Sequence, residues 1–306
     1  MESPDISSNT CIVIAGPTAS GKSDIAVQVA KHFHTAVISA DSRQCYRELR
    51  IGVARPPESL LQQVPHYFIA DRSIQEPVTA AGFEHFALQK ISDLFKEKKV
   101  VVLAGGTGLY IKAFCEGLDN VSPPDPALRE SLQQQYNEHG FQWLKQTVES
   151  RDPQFALQGE MQNPRRMLRA LEVMYTTGRS ILEMHGGTPK KRPFNILSIC
   201  LDMPRAMLYQ RINQRVQQMV DEGLEDEARA MYPFKHLNAL QTVGYKEWFD
   251  YFDGLYTREE TMERVAKHTR QYAKRQITWF KKQQGMHFVE ASFPAVIQTI
   301  IQKLKI

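Results

Sequence analysis

The chain has 306 residues, of which 42% are apolar and 24% charged, values typical of a globular protein. At about 150 residues per domain, this length predicts roughly two domains. No apolar run is long enough to predict a membrane-spanning helix. The many aromatic and branched residues exclude a mainly disordered chain. The net charge of +4 is weak evidence for a polyanionic partner.

Buried strands alternate with helical segments over the first third of the chain. Strands are predicted at residues 11–15, 35–40 and 99–104, where apolar side chains are continuous. Helices are predicted at 24–33 and 82–98 from apolar residues at helical spacing. Continuous apolar strands separated by helices are typical of a parallel sheet covered on both faces, so an α/β fold is predicted.

Two interruptions divide this pattern. The first is S-P-P-D-P at 122–126, and the second is G-G-T-P-K-K-R-P at 186–193. The residues between them have a mostly helical pattern. The simplest interpretation is a helical insertion at 121–194 within an α/β core formed by 10–120 and 195–306.

The chain after the insertion begins with a further buried strand at 195–201, and everything from Arg205 onward is predicted to be helical. Residues 264–282 hold seven Lys and Arg and no acid. On a helix, four of these cations fall within about 60° of one another: Lys267, Arg270, Lys274 and Lys281. This basic stripe is either a solvated face or a surface for an RNA backbone, whose phosphates reward aligned cations.

A phosphate-binding motif follows the first predicted strand and opens the first helix. The octet matches G-x-x-x-x-G-K-[ST]: Gly16, Pro17, Thr18, Ala19, Ser20, Gly21, Lys22 and Ser23. Its glycines let backbone N–H groups turn around phosphate oxygens, its lysine supplies charge, and the Ser23 hydroxyl can ligate Mg²⁺. The helix that begins there adds the positive end of its dipole. This phosphate loop predicts a P-loop NTPase-like sheet without identifying the phosphate.

Two missing motifs and two residues at strand ends limit the classes of phosphate-binding protein to which the chain could belong. The sequence has no N-K-x-D tetrad, which disfavours a GTPase, and the third strand ends in Gly-Gly-Thr, so a Walker B acid is missing. Asp41 and Thr107 follow strands and are expected to face the phosphates. Asp41 is then a Mg²⁺ ligand, a general base or a turn residue, and Thr107 is a donor to a departing phosphate oxygen or a turn residue.

Six segments, taken in order, resemble the tRNA dimethylallyltransferase family. They are G-P-T-A-S-G-K-S (16–23), S-A-D-S-R-Q-C-Y-R (39–47), A-G-G-T-G-L-Y (104–110), N-P-R-R-M-L-R-A-L-E-V (163–173), V-G-Y-K-E (243–247) and T-R-Q-Y-A-K-R-Q-I-T-W-F (269–280). The resemblance implies transfer of a dimethylallyl group from dimethylallyl diphosphate to N6 of adenosine 37 in tRNA. The phosphate loop would then hold a diphosphate leaving group, which fits the missing Walker B acid.

The resemblance also implies roles for individual residues. Asp41 matches the general base, Thr107 lies near the bridging oxygen, and Arg215 matches a diphosphate-binding arginine. Contacts to tRNA are implied for Asp41, Ser42, Arg43, Gln44, Thr107, Arg129, Arg165, Arg166, Met167, Leu168 and Arg169, and the insertion is expected to contact the anticodon stem-loop. Arg165 stands where a Gln is expected, and Ser23 replaces the commoner Thr. To these the basic stripe adds Lys267, Arg270 and Lys274 as expected tRNA contacts.

Two other functions remain open from the sequence. A small-molecule kinase would share the phosphate loop and bind ATP, but it has no need of the basic stripe. An RNA-binding module with a vestigial loop would not need Lys22, Ser23 and Asp41. The four cysteines show neither pairing nor metal-ligand spacing, so a cytoplasmic protein with reduced thiols is expected. A monomer is favoured because no heptad pattern is present, and the sequence does not show which tRNAs are used.

Overall fold

The computed structural model of the chain describes residues 8–119, 121, 125–184 and 189–305. The chain forms two compact units. The first unit combines Met1–Cys115 with Arg192–Ile306, and the second unit is Glu116–Lys191. The two interruptions in the sequence predict an insertion at 121–194. The second unit of the structure, Glu116–Lys191, begins and ends a few residues earlier than that.

Strands and helices alternate through the first unit, and the second unit is helical. The described strands are β1 (Thr10–Ala15), β2 (Val37–Ser39), β3 (His66–Tyr67), β4 (Val100–Gly105), β5 (Asn195–Asp202) and β6 (Met286–Glu290). The described α-helices are α1 (Lys22–His32), α2 (Glu58–Leu61), α3 (Ala80–Leu94), α4 (Gly108–Glu116), α5 (Pro126–Arg151), α6 (Pro153–Gln158), α7 (Pro164–Thr177), α8 (Ile181–Met184), α9 (Arg205–Asp221), α10 (Leu224–Met231), α11 (Tyr245–Phe252), α12 (Arg258–Lys281) and α13 (Phe293–Leu304).

The strands form one parallel sheet in the order β3-β2-β4-β1-β5-β6. Strand β4 lies between β1 and β2, so the carboxyl ends of these three strands are neighbours. Ligands of open α/β sheets bind at such ends. The predicted α/β class with a parallel sheet flanked by helices is confirmed.

Side chains of the central strands are buried on both faces of the sheet. On β1, Cys11 and Val13 pack into a cluster with residues of α3, α4 and α12, while Ile12 and Ile14 pack against α1 and α13. Alternate side chains of a strand point to opposite faces, so covering both faces with helices removes the polar side of the pattern. This explains why β1, β4 and most of β5 are nearly continuous apolar runs.

Two strands were not predicted. Residues from Arg205 onward were expected to be helical throughout, and this is wrong for Met286–Glu290, which forms β6 beside β5. β6 is an edge strand in which Phe288 is 40% exposed, so it lacks a continuous apolar run. Strand β3 has only two residues, His66 and Tyr67, which is too short for any periodicity to appear.

The second unit has its own apolar core, built from α5, α6, α7 and α8. The Asp125 side chain caps α5 by accepting from the Ala127 N–H, and Asn163 caps α7 by accepting from Arg166. Within α5, Gly140 has φ +75° and interrupts the helix. The mostly helical pattern predicted for this segment is confirmed by α5–α8.

Membrane-spanning helices and metal-binding clusters are both absent from the described residues. None of their helices combines the length and apolar character needed to cross a membrane. They also contain no cluster of three or more His, Cys, Asp or Glu that could hold a metal ion. Cys11, Cys45 and Cys200 are buried and form no disulfide within the described part of the chain.

Candidate active site

The carboxyl ends of β1, β2 and β4 meet in direct backbone contact. The Ala40 N–H, just after β2, donates to the Ala104 carbonyl at 2.7 Å, and the Thr107 N–H donates to the Ala40 carbonyl at 3.2 Å. A Cβ on Gly105 would lie 2.2 Å from the Ala40 oxygen, so only glycine permits this approach. The phosphate loop, Asp41 and Thr107 therefore share one edge of the sheet.

The phosphate loop has the backbone conformation of an anion cradle. Gly21 has φ +84° and Ala19 has φ +65°, and strain of this kind at a non-glycine residue is common where a ligand is gripped. The Ser20 side chain is 1% exposed, and its Oγ has no hydrogen-bond partner among the described residues. A buried hydroxyl without a partner fits a site that a phosphate oxygen completes.

Three cations converge beside this loop. Lys22 Nζ donates to the Pro17 carbonyl at 2.7 Å, and the ideal Cβ position of Gly21 lies 3.7 Å from Nη1 of Arg211. Burial lowers the pKa of Lys22 to about 8; Asp41 opposes that shift and Arg215 adds to it. Burial also lowers the pKa of Arg215; Asp24 opposes that shift and Arg211 adds to it.

None of these three cations has an ion-pair partner in the part of the chain that the structure describes. Buried charges are normally paired, because leaving water without a counter-charge is costly. This argument applies to Lys22 and Arg215, which burial desolvates, whereas Arg211 is exposed and stays hydrated. An anion that carries more than one charge would pair both desolvated cations, with Arg211 at the rim of the site. Arg211 was not predicted, although it lies one helical turn before Arg215 on α9, and that spacing could have revealed it.

Asp41 takes one of the roles that the sequence left as alternatives, that of a turn residue. Its Oδ1 accepts the Arg43 N–H at 2.9 Å and the Gln44 N–H at 3.2 Å, which is the geometry of a turn residue. Neither bond uses the second carboxylate oxygen, Oδ2. Asp41 is also a charged neighbour of Lys22 and of Tyr272 on α12. One oxygen thus holds the turn, and the other is available for chemistry.

Thr107 is tied to the same turn. Its hydroxyl accepts the Ser42 N–H at 3.0 Å and lies 3.3 Å from the Ser42 hydroxyl, to which it donates. The neighbouring side chains are also anchored, since Arg43 donates to the Asn238 carbonyl at 2.9 Å. Residues 41–44 and Thr107 are therefore brought together as predicted, although their roles toward a substrate remain a prediction.

Gln276 on α12 is a site residue that the sequence analysis missed. Its Oε1 accepts the Thr18 N–H of the phosphate loop at 2.9 Å, and its Nε2 donates to the Gly106 carbonyl at 2.8 Å. Its side chain is buried, with 7% exposed. One amide therefore links α12, the phosphate loop and the end of β4, across sequence separations that no local pattern reveals.

The predicted basic helix is present as α12, with a capping box formed by Thr257 and Glu260 at its start. Lys267 and Lys274 are exposed, and Arg270 donates to the Asn213 side chain at 2.6 Å. The apolar side of α12 packs inward through residues such as Phe280. The helix thus supplies the active site with Gln276 and presents most of the basic stripe to solvent.

In the second unit, residues 165–169 lie in the first two turns of α7 and differ in exposure. Arg165 and Arg166 are exposed, and Arg166 pairs with Glu160. Met167 and Leu168 are 0% and 8% exposed and belong to the apolar core, so their side chains are not offered to a ligand. The predicted contacts are therefore available only from the arginines of this segment.

Arg129 and Arg169 share a buried carboxylate. Arg129 donates to both oxygens of Glu172 at 2.8 and 3.1 Å, and Arg169 donates to one of them at 2.9 Å. The Glu172 side chain is 5% exposed, whereas that of Arg129 is 55% exposed. Glu172 holds both guanidinium groups in place, a partner that lies 43 residues from Arg129 and that the sequence analysis did not identify.

Comparison with known proteins yields consistent matches over nearly the whole chain. Residues 44–283 match the family model described as IPP transferase. The chain is 43% identical to a tRNA dimethylallyltransferase of Cytophaga hutchinsonii, over 95% of this chain and 96% of that protein. It is 41% identical to tRNA dimethylallyltransferase 1 of Bacteroides thetaiotaomicron, over 91% of each.

Solved structures agree. A tRNA isopentenylpyrophosphate transferase from Bacillus halodurans superposes with a TM-score of 0.70 at 34% identity, covering 97% of this chain and 95% of that one. A eukaryotic dimethylallyltransferase acting on tRNA superposes with a TM-score of 0.79 at 26% identity, covering 96% and 78%.

Proposed function

The chain belongs to the IPP transferase family, and from this premise we propose that it transfers a dimethylallyl group from dimethylallyl diphosphate to N6 of adenosine 37 in tRNA. The structural observation that carries the proposal is the set of unpaired cations beside the phosphate loop, facing Asp41 at adjacent strand ends. Family membership supports prenyl transfer and does not support the small-molecule kinase. The relatives are named as enzymes, which likewise disfavours a purely RNA-binding module.

The reaction forms a bond between N6 of adenine and C1 of the allyl group and breaks the bond from C1 to the diphosphate oxygen. The electron pair of the broken bond leaves with the diphosphate. Lys22, Arg211, Arg215 and the loop N–H groups neutralise that growing charge without having to reorganise. The N6 proton passes to the free Oδ2 of Asp41, whose Oδ1 stays in its turn.

Mg²⁺ is part of the proposal through Ser23. Magnesium is commonly bound by one or two protein oxygens together with substrate phosphates, and it prefers oxygen ligands. Ser23 is at the start of α1 within the phosphate loop, so its hydroxyl fits this donor set. The ion would supply further charge neutralisation for the diphosphate.

For tRNA we propose that residues 41–44 and Thr107 contact the target base, which leaves its stack to reach them. Arg129 and the α7 arginines of the second unit would contact the anticodon stem-loop, and Lys267, Arg270 and Lys274 its phosphates. The buried Cys11, Cys45 and Cys200, which form no disulfide among the described residues, support a reducing compartment such as the cytoplasm. Sedimentation would test the monomer that we propose.

The proposal is tested by mixing the protein with Mg²⁺, radiolabelled dimethylallyl diphosphate and an anticodon stem-loop that carries A at position 37. We expect label in the RNA, and we expect it to be lost when A37 is replaced by G. Absence of label in the A37 stem-loop, with ATP consumed in the presence of a small acceptor, would return the kinase as the function.

Donor binding is expected to depend on pH through Lys22. With the pKa of Lys22 lowered to about 8 before binding, an adjacent diphosphate should raise it, so binding takes up a proton. The affinity for the donor is then at its full value below about pH 8. Above about pH 8 the affinity falls by up to about tenfold for each pH unit. Calorimetric titration of a non-reactive donor analogue between pH 7 and 10 measures this.

The matched control for the pH experiment is Lys22→Arg. Arginine remains charged over this range, so its affinity for the analogue should not change with pH. Equal pH dependence of the two proteins would assign the effect to another group.

Replacing Arg169 by alanine is expected to weaken stem-loop binding about tenfold and leave donor affinity unchanged. The buried Glu172 keeps its bidentate partner Arg129, so the second unit should stay folded. Arg179→Ala, which removes an exposed ion pair with Glu183 in the same unit, is the control. Weaker donor binding with unchanged RNA affinity would contradict the assignment.

A further inference from the structure

The segment 44–55 follows the base-contacting turn and has no helix or strand of its own. Such a segment should be mobile unless other parts of the chain satisfy its backbone groups. Backbone hydrogen bonds to residues 70–72 satisfy groups of residues 44, 45 and 47. Two charged side chains bind further groups of the segment, one the N–H groups and the other the carbonyl groups. Both act on the part of the segment that follows Gln44.

Glu227 on α10 binds the N–H groups. One oxygen, Oε2, accepts from Arg50 at 2.9 Å and from Ile51 at 2.8 Å, and the other, Oε1, accepts from Ile51 at 3.1 Å and Gly52 at 2.9 Å. Three successive N–H groups that point at one anion form a nest, and hydrogen bonds to a charged acceptor are stronger than neutral ones. The partner is about 175 residues away along the chain.

Tyr245 fixes the carboxylate from the other side. Its hydroxyl donates to Oε1 of Glu227 at 2.6 Å, and its ring is fully buried. The ring also packs on Gly52, where a Cβ would lie 2.7 Å from two ring atoms. Glu227 therefore has its orientation set by Tyr245, and the backbone at residue 52 has its position set by both.

Arg55 binds the carbonyl groups of the same segment. Its Nη2 donates to the carbonyls of Tyr46 and Arg47, each at 2.9 Å, and to that of Leu49. Glu227 is also a charged neighbour of Arg55. The anion and the cation thus hold opposite polar sides of one segment.

The held segment in turn orients Gln44. The Gln44 Nε2 donates to the carbonyls of Val53 at 3.2 Å and Ala54 at 2.9 Å. Two carbonyl acceptors fix which end of the amide faces the segment. Ala54 has φ +50°, a conformation that an alanine keeps only when its surroundings impose it.

From these contacts we infer that Glu227 is a positioning residue for the target adenine. Through the nest at Arg50–Gly52 it fixes the carbonyls of Val53 and Ala54, which fix the Gln44 side chain beside Asp41. The inference rests on the proposed function, because it assumes that residues 41–44 receive the base. Glu227 itself does not touch the substrate.

The test measures how affinity depends on the base at position 37 in a Glu227→Gln variant. Glutamine has nearly the same shape, but one of its two ends is an amide NH₂, which cannot accept the N–H groups of the nest. Stem-loops with A37 and with an abasic site at position 37 are titrated against both proteins. We expect the ratio of the two affinities to fall about tenfold in the variant, because a shared network couples the two sites.

Affinity for the abasic stem-loop and for a non-reactive donor analogue should be unchanged in the variant. Hydrogen exchange should increase at Arg50, Ile51 and Gly52. Glu225→Gln, two residues earlier on α10 and paired with Arg229 and Arg258, is the matched control and should preserve the affinity ratio. An equal loss for both stem-loops, or an unchanged ratio, would overturn the inference.

Tyr245→Phe provides a second test if Glu227→Gln does not fold. It removes the bond to Oε1 and keeps the ring on Gly52, so it should lower the ratio by a smaller factor. An unchanged ratio in a folded Tyr245→Phe protein would count against the inference. The proposed function and this inference can fail separately. If the wild-type protein does not label A37, both are overturned. If it labels A37 but the affinity ratio is the same in the variants as in the wild type, only the inference is overturned.

Discussion

Replacing Lys22 by alanine is expected to lower the rate of transfer by about 10²–10³-fold or more, the size of losing one preorganised charge-stabilising donor. The lysine supplies a cation at the phosphate loop, where negative charge grows as diphosphate leaves. Affinity for the stem-loop should be unchanged, because Lys22 serves the phosphates of the donor. Single-turnover labelling and stem-loop titration measure the two effects separately.

The variant should remain folded and should not melt at a lower temperature. Desolvation is the main cause of the lowered pKa of Lys22, and attraction to Asp41 is opposed by repulsion from Arg215. Removing this desolvated cation should therefore not destabilise the unliganded protein. Lys31→Ala, which changes an exposed lysine on the same helix, is the matched control and should keep full activity. Loss of stem-loop binding in Lys22→Ala with donor affinity retained would reassign this lysine to the RNA.

Replacing Asp41 by asparagine is expected to slow the chemical step by about 10²–10⁴-fold, the usual contribution of a general base. Asparagine keeps an Oδ1 that can accept from Arg43 and Gln44, so the turn should survive. Only the charge and basicity of the second oxygen are lost. The variant therefore separates the chemical role from the structural one, and a single-turnover rate with saturating donor and stem-loop is the measurement.

Asp41→Ala removes both roles and is the comparison. It should slow transfer at least as much and should also weaken stem-loop binding, since residues 43 and 44 lose their acceptor. An unchanged single-turnover rate in Asp41→Asn would show that the carboxylate only holds the turn. A loss of donor affinity alone would instead indicate a role in holding the diphosphate or its metal ion.

The central strands and the phosphate loop could be predicted because their signals are local. Strands β1 and β4 are covered on both faces, and this leaves continuous apolar runs in the sequence. The edge strand β6 could not be predicted, because its side chains are half exposed and its pairing with β5 is made across the chain. The cap at Asn163 is likewise a local pattern, readable three residues ahead of its donor.

Local patterns in the sequence were enough to identify the functional groups that lie within one short segment. The phosphate loop, the turn at Asp41 and the basic stripe of α12 each depend on neighbours within a few residues, so their order along the chain is enough. The resemblance added Arg215 and the tRNA contacts in the same way, segment by segment.

The groups that complete the site from distant parts of the chain became evident from the three-dimensional fold. Arg211 lies beside Gly21, Gln276 bridges Thr18 and Gly106, and Glu227 binds the N–H groups of residues 50–52, over separations that reach 258 residues. These contacts are hydrogen bonds and charge proximities, which leave no periodic signal in a sequence. They exist because the parallel sheet brings strand ends together and packs α9, α10 and α12 around them.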